Sequence, residues 1–370
     1  MMKKFTRTLL TLGLSAALLA GCGSTRNSAQ ETGQIGTETT AEETKESAIG
    51  QETESAEEIT AETDTSETVE VRVGSLKGPT TIGLLPMMNA SGGCYTFTMA
   101  TQADELTGML VKGDLDIALI PANLAAVLYW NSNAEIQIID VNTLGVLYVV
   151  SNDGEISSVE DLKGRTIYLT GKGTGPDIVL QYLLEANGVS KEDVTLEYKT
   201  EATEVAAALV AEEEQGNAAV GVLPQPFVTV ACAQNENLQM VLDLTKEWEK
   251  VQQDGSSLVT GVTVATKAFV EEHPEAVDAF LTDHGNSVTY VNENPDQAAQ
   301  WAVEKEIIAK EPIARKAIPN CNVVCLTGTD MKQALTGYFC TLYEANPKVV
   351  GDPDTAPDPG MPFIMEYSNG

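Results

Sequence analysis

Histidine is nearly absent from this chain. Its 370 residues hold two, His273 and His284, and both fall in helically patterned stretches of the C-terminal part. The sequence also lacks a Gly-x-Ser-x-Gly elbow, a His-Glu-x-x-His pair and a calcium-loop pattern. Those are the marks of a hydrolase nucleophile, a zinc peptidase and an EF-hand. No nucleophile–base pair stands out, so the residues argue against an enzyme. Cations are scarce: 22 Lys and Arg face 54 Asp and Glu, a formal charge of −32. Binding a phosphate backbone needs clustered cations, so nucleic acid is not expected as a partner. Net charge does not fix the sign of a pocket, however. Cysteine lacks paired spacing: beyond Cys22 there are Cys94, Cys232, Cys321, Cys325 and Cys340, which do not form a disulfide framework. Free, mostly buried thiols are expected, with a single disulfide left open. Cys321-x3-Cys325 is half of a metal pattern without its second pair. No metal or cofactor is expected.

Long apolar runs are missing too, apart from Leu9 to Ala20, which is too short to span a bilayer as a helix. Lys3, Lys4 and Arg7 precede it, so it reads as a secretory signal peptide over residues 1–21. Its end, Leu19-Ala20-Gly21-Cys22, resembles the bacterial lipoprotein processing site. That implies cleavage before Cys22 and lipid attachment to it. Loss of the three leader cations would take the charge to about −35. From Gly23 to Thr68 the chain is mostly Thr, Glu, Ser, Ala, Gln and Gly, with no aromatic residue. Such a stretch cannot bury enough apolar surface to offset the entropy of ordering it. Residues 22–68 are therefore expected to be a lipidated cysteine and a disordered acidic stalk. It would hold a folded body at the outer face of the cytoplasmic membrane, or facing a periplasm.

What remains is long enough for two lobes with cores of their own. The clearest signal in it is Arg165-Thr166-Ile167-Tyr168-Leu169 followed by Thr170-Gly171-Lys172-Gly173-Thr174-Gly175-Pro176-Asp177 and a helically spaced run to Asn187. This reads as strand, glycine-rich loop and helix. The loop can bring backbone N–H groups and the Thr174 hydroxyl to a helix N-terminus, a point that favours an anion or polar group. It is not a Walker A loop or a convincing dinucleotide fingerprint, and such glycines also serve simply to turn the chain. The same grammar occurs earlier, where Val69 to Val73 leads into Gly74 to Thr81. Two such units suggest two α/β lobes sharing a cleft.

The strands and helices alternate along the chain. A helix is expected over Pro79–Asn89, and a capping box at Thr101-Gln102-Ala103-Asp104 should open another that Gly113 closes. The strand Asp116–Ile120 ends beside Asn123, which is either a ligand group or a helix cap. Ile136–Val141, a break with Gly145, and Val146–Val150 mark a hinge. Pro224-Gln225-Pro226 makes a rigid loop at another strand end, and Gly261, inside Leu258–Ala265, marks the return crossing. Thus 69–145 with 262–370 would form the first lobe and 146–261 the second. His284 lies on the apolar face of a helix carrying Val277, Phe280, Leu281, Val288 and Val291, the pattern of a core residue. Strand ends and loops carry mainly uncharged hydrogen-bonding groups. The candidate ligand residues are Lys77, Thr80, Thr81, Asn123, Thr143, Thr174, Gly175, Gln225 and Thr260, with Gly145 and Gly261 as hinges. The inventory suits capture of a small polar solute. Tyr95, Trp130 and Trp248 are either rings for a flat ligand or core residues.

Three motifs resemble a known family: Lys112-Gly113-Asp114-Leu115-Asp116-Ile117-Ala118, the stretch from Ser158 to Gly171, and Leu258-Val259-Thr260-Gly261. Glu271 to Val277 and Tyr290 to Pro295 add to them. With the lipobox and stalk, the chain is similar to ABC-transporter solute-binding lipoproteins of the nitrate/sulfonate/taurine and thiamine-pyrimidine-precursor superfamily. The resemblance implies a type II periplasmic-binding-protein fold with a central cleft and two crossing hinge strands. It implies a monomer that closes on a small molecule and docks on an ABC permease served by an ATPase. The alternatives are the ligand-binding module of a surface sensor, or an enzyme on the same fold such as a pyrimidine synthase or chorismate-type dehydratase. The synthase needs a cofactor-linked Lys and a site His; Lys77 and Lys172 are present, but no suitable His is.

Overall fold

The computed structural model describes residues 69–90, 93–131, 135–252, 255–351 and Ile364. Cys22, the leader and the acidic segment lie outside them. Among the described residues eleven strands form two sheets. They are β1 (Val71–Leu76), β2 (Tyr95–Ala100), β3 (Ile117–Pro121), β4 (Ile136–Leu144), β5 (Leu147–Ser151), β6 (Thr166–Thr170), β7 (Thr195–Lys199), β8 (Val220–Pro224), β9 (Gln239–Asp243), β10 (Val259–Thr266) and β11 (Val323–Leu326). The helices are α1 (Pro79–Ile82), α2 (Leu85–Asn89), α3 (Ala103–Lys112), α4 (Ala122–Asn131), α5 (Gly175–Ala186), α6 (Ala202–Glu214) and α7 (Phe227–Gln234). They continue with α8 (Leu244–Val251), α9 (Lys267–Glu272), α10 (Pro274–Glu293), α11 (Pro295–Glu304), α12 (Glu311–Ala317) and α13 (Gly328–Ala345).

The first sheet has the order β11-β4-β10-β3-β1-β2 and the second β7-β6-β8-β5-β9. The parallel pairs are β1 with β2 and β3, and β6 with β7 and β8. Their connections carry helices, as a parallel pair requires. Strands such as Ile117–Pro121 and Leu147–Ser151 are mostly apolar, as strands covered on both faces are, and they are buried along almost their whole length. The chain passes from the first sheet to the second between Leu144 and Leu147. It returns before Val259, so β10, antiparallel to both neighbours, inserts between β3 and β4.

Local departures from the sequence reading have plain causes. The expected helix over Pro79–Asn89 is two short helices meeting at Gly83, against which His284 and Val323 pack. The cap of α3 is Gln102, not Thr101, and no side chain bonds there. Gly113 closes that helix with φ 75°, the left-handed stop that glycine takes without strain. β4 runs on through Asn142 and Thr143, since β10 and β11 supply partners as far as Leu144. β11 and α12 have no clear sequence signal. His284 is fully buried, as its helix face predicts. So is Trp248, packed between Tyr182 and Tyr338, which removes it from the rings available to a ligand. Tyr95 starts β2, at the opposite end from the loops, and gives its hydroxyl to Asp283. Trp130 is half-buried near the end of α4, with the Tyr129 ring edge-on to it. All five described cysteines are free thiols; burial pushes Cys321 up to about 12. Among the described residues no helix is long and apolar enough to cross a membrane.

Candidate ligand-binding site

In open α/β sheets, loops at the carboxyl ends of parallel strands are where ligands bind. Here the ends of β1 and β3 and the end of β8 lie beside the two crossings, as the pairing shows. Gly261 of β10 faces both Pro121, at the end of β3, and Thr143 of β4. On the second sheet Pro224, at the end of β8, faces Leu147 just past the first crossing.

On the first sheet several candidate residues converge. A Cβ on Gly261 would stand 2.5 Å from both Thr80 Cγ2 and Asn142 Oδ1. Glycine is thus needed there for close approach, and Thr80, Asn142, Thr143 and Gly261 form one contiguous patch. Thr260 is half-buried beside it, where the register of β10 against β4 slips. Asn123 is half-buried in the first turn of α4, two residues beyond Pro121. Lys77 follows β1 and lies 3.7 Å from the exposed carboxylate of Glu306. Thr80 and Thr81 both donate to the Leu76 carbonyl, at 2.9 and 2.7 Å. Thr81 is fully buried and also bonds Ser75 at 2.9 Å, so its hydroxyl is committed inside the lobe.

A buried hydrogen-bond chain runs under this patch. His284 Nδ1 lies 3.1 Å from Asp140 Oδ2, Thr263 donates to Asp140 Oδ1 at 2.8 Å, and Asn142 Nδ2 donates to Thr263 at 3.2 Å. Thr143 then donates to Asn142 Oδ1 at 2.8 Å. A carboxylate only accepts, so Asp140 fixes the direction of each bond in turn. Thr143 therefore has its proton committed and can only accept from a further group. Asp140, His284 and Cys325 hold ligand-type atoms within 4.8 Å of one another. Yet His284 Nε2 is buried without a partner. A metal on Nδ1 would make that nitrogen an unpaired buried donor, where metal-bound imidazoles normally bond a second group. The trio is better explained as core hydrogen bonding, with burial and Asp140 pushing the Cys325 thiol up.

On the second sheet the glycine-rich loop follows β6. Gly171 and Gly173 have φ of 77° and 72°, conformations that open the loop at little cost only for glycine. Its own residues fill most of its bonds. The amide and hydroxyl of Thr174 both donate to the Gly171 carbonyl, at 2.9 and 2.6 Å. Asp177, 3% exposed in the first turn of α5, accepts from Gly173 N at 2.7 Å and from the Tyr198 hydroxyl at 2.9 Å. Burial first, then Asp177, pushes the Tyr198 hydroxyl above its ordinary range. The helix end thus carries a carboxylate of its own, which weakens it as an anion site. Thr174, exposed at the helix cap, and Gly175 remain accessible there. Gln225 behaves otherwise: it is 2% exposed, its amide oxygen accepts from Thr229 at 2.7 Å, and its backbone N–H donates to Val146 across the crossing.

Residues 133–298 match the family described as NMT1/THI5 like. No protein of curated function matches the chain in sequence. Among solved structures, an ABC transporter protein from Parabacteroides distasonis is 24% identical, covering 81% of this chain and 99% of that one, with a TM-score of 0.66. The periplasmic aliphatic sulphonate binding protein SsuA of Escherichia coli is 15% identical over 76% and 89% of the two chains, with a TM-score of 0.58. A putative periplasmic sulfonate-binding protein from Methylobacillus flagellatus gives 16%, 80% and 91%, and 0.57. The chain therefore has an NMT1/THI5-like segment within a periplasmic-binding-protein fold, as its sequence motifs implied.

Proposed function

We propose that this protein is the extracytoplasmic substrate-binding component of an ABC importer, tethered through lipid on Cys22. It captures a small polar organic solute between residues 69–145 with 262–370 and residues 146–261, then delivers it to a membrane permease. What supports this reading is the contiguous polar grouping of Thr80, Asn142, Thr143 and Gly261 at the strand ends beside the crossings. Lys77, Thr80, Asn123, Thr143 and Thr260 would serve the ligand from one side, with Thr174 and Gly175 from the other. A ligand touching both sides only when they approach would shift the population toward the closed form. Gly145 and Gly261, at the crossings, would take up the motion.

The hydrogen-bond directions narrow the ligand. Thr174 is exposed and has committed its proton, so it favours a ligand with N–H or O–H groups, while Lys77 favours an acceptor or a single negative charge. A small neutral or singly anionic molecule, a heteroaromatic ring among them, fits better than a doubly charged oxyanion. Thermal unfolding with thiamine pyrimidines, riboflavin, alkanesulfonates, taurine, nitrate and aromatic acids tests this. A micromolar ligand at a thousandfold excess should add about 4 kcal/mol, a shift of several degrees. A shift lost in Lys77→Ala and Thr174→Ala supports function and site together. A shift indifferent to both keeps the function and removes the site.

A further inference from the structure

Asn322 is one of two non-glycine residues with positive φ among the described residues, at 47°. Such a conformation costs free energy in a residue with a Cβ, and asparagine tolerates it best. It persists where the surroundings hold it, often at functional positions. Here the surroundings are the first crossing. The Asn322 carbonyl accepts from Leu144 N at 3.0 Å, and its side-chain Nδ2 donates to the Gly145 carbonyl at 2.6 Å. One residue therefore grips both peptide groups flanking the point where the chain leaves the first sheet. Two residues earlier, the Asn320 carbonyl accepts from the hydroxyl of Tyr148, on β5 of the second sheet, at 2.8 Å. The turn itself is anchored: Ile318, Cys321 and Val323 are buried in the cluster that also holds Ile82, Leu85 and Ala314.

We infer that the turn 318–322 clamps the first crossing, and that Asn322 is a positioning residue that sets how readily the two sheets move relative to one another. The other side of the crossing supports this. There Gly145 packs against Leu258 and Thr245, and the Thr245 hydroxyl is buried without a partner. At Gly145 the crossing is thus bonded on the Asn322 side and only packed on the Thr245 side; Gln225 N–H holds Val146 to the second sheet, so the Asn322 and Tyr148 bonds are the side-chain bonds that tie the crossing to the turn of the first sheet. This inference builds on the capture reading, but its test needs no ligand, so either can fail alone.

The experiment is hydrogen–deuterium exchange of the full chain, followed by mass spectrometry, for wild type, Asn322→Gly, Asn322→Asp and Tyr148→Phe. Glycine keeps the left-handed turn and removes the side-chain amide with its donor to Gly145. Losing one hydrogen bond should raise exchange about fivefold in peptides spanning 142–149. Peptides from β3 and β6 should stay within about twofold of wild type, with the melting temperature moving by about 2 °C or less. Asn322→Asp, which sets an acceptor against the Gly145 carbonyl, should exceed it. Tyr148→Phe should act on the same peptides, and it decides the matter should the Asn322 variants unfold. If Asn322→Gly folds and leaves 142–149 unchanged, asparagine is there only to shape the turn and the clamp is wrong. If exchange rises evenly across both sheets, the role is general stability and the inference fails equally.

Discussion

Asp140 and His284 meet at 3.1 Å with no exposure on either side chain. They join β4 to α10 across the interior of the first sheet, and Asp140 also takes the Thr263 hydroxyl. Removing one member of such a buried pair leaves the others without partners. Asp140→Ala should therefore lower unfolding stability by more than about 2 kcal/mol, at about 1–3 kcal/mol for each buried group left unpaired, read from the midpoint of a denaturant titration. A loss under about 1 kcal/mol would mean that water readily replaces the carboxylate.

Gly261→Ala puts a methyl group where Thr80 and Asn142 already sit. Overpacking of this kind costs about 1–3 kcal/mol. Because the displaced residues belong to the candidate site, ligand affinity should fall along with the melting temperature. Gly108→Ala, where an added Cβ meets nothing within 4 Å, should spare both. Equal affinity in the two variants would move the site away from the crossing.

Thr245→Val replaces an unpartnered buried hydroxyl with a methyl of similar size. The isolated group loses its hydration without a bond in return, so the valine variant should be as stable as wild type or more stable by about 1 kcal/mol, measured by chemical denaturation. Clear destabilisation would show that the hydroxyl is bonded in solution.

Tyr148, Tyr198 and Tyr338 have hydroxyls pushed above their ordinary range, chiefly by burial. Each keeps its proton in the folded state at a pH where the unfolded chain has released it. The unfolded state then binds fewer protons, so stability holds below about pH 10 and falls as pH rises beyond it. Tyrosinate absorbance should accordingly appear for the buried Tyr148 and Tyr338 together with the loss of near-ultraviolet circular dichroism, not before it. Full ionisation in a still-folded protein would contradict their burial.

Much of this architecture is legible in the sequence. The strand–loop–helix around Gly171 and the apolar face through His284 follow from spacing alone. Positions of the polar residues are legible too, but not what their atoms do. Thr81 and Gln225 look like Thr174 in the sequence, yet the fold buries them against Ser75 and Thr229 and leaves Thr174 exposed. Asn142, beside the expected Thr143, gives no sign that it links Thr143 to the buried Asp140, because its partner Thr263 is distant in sequence. Asn322 escapes a sequence reading for the same reason. Its role depends on Gly145, and the short strand after it lacks the alternating pattern that would announce one.

The insertion of β10 between β3 and β4 also bears on how the chain comes to be folded. The second sheet is made of one unbroken stretch, β5 to β9, and can form as soon as that stretch exists. The first has its central strand supplied last but one, after the whole of the other sheet, so until Val259–Thr266 is in place its halves, β1-β2-β3 and β4, have nothing between them. Such distant pairing is slow and leaves edges open while it waits. Topology therefore favours one order of assembly, in which the inserted stretch matures first and the first sheet closes around it later.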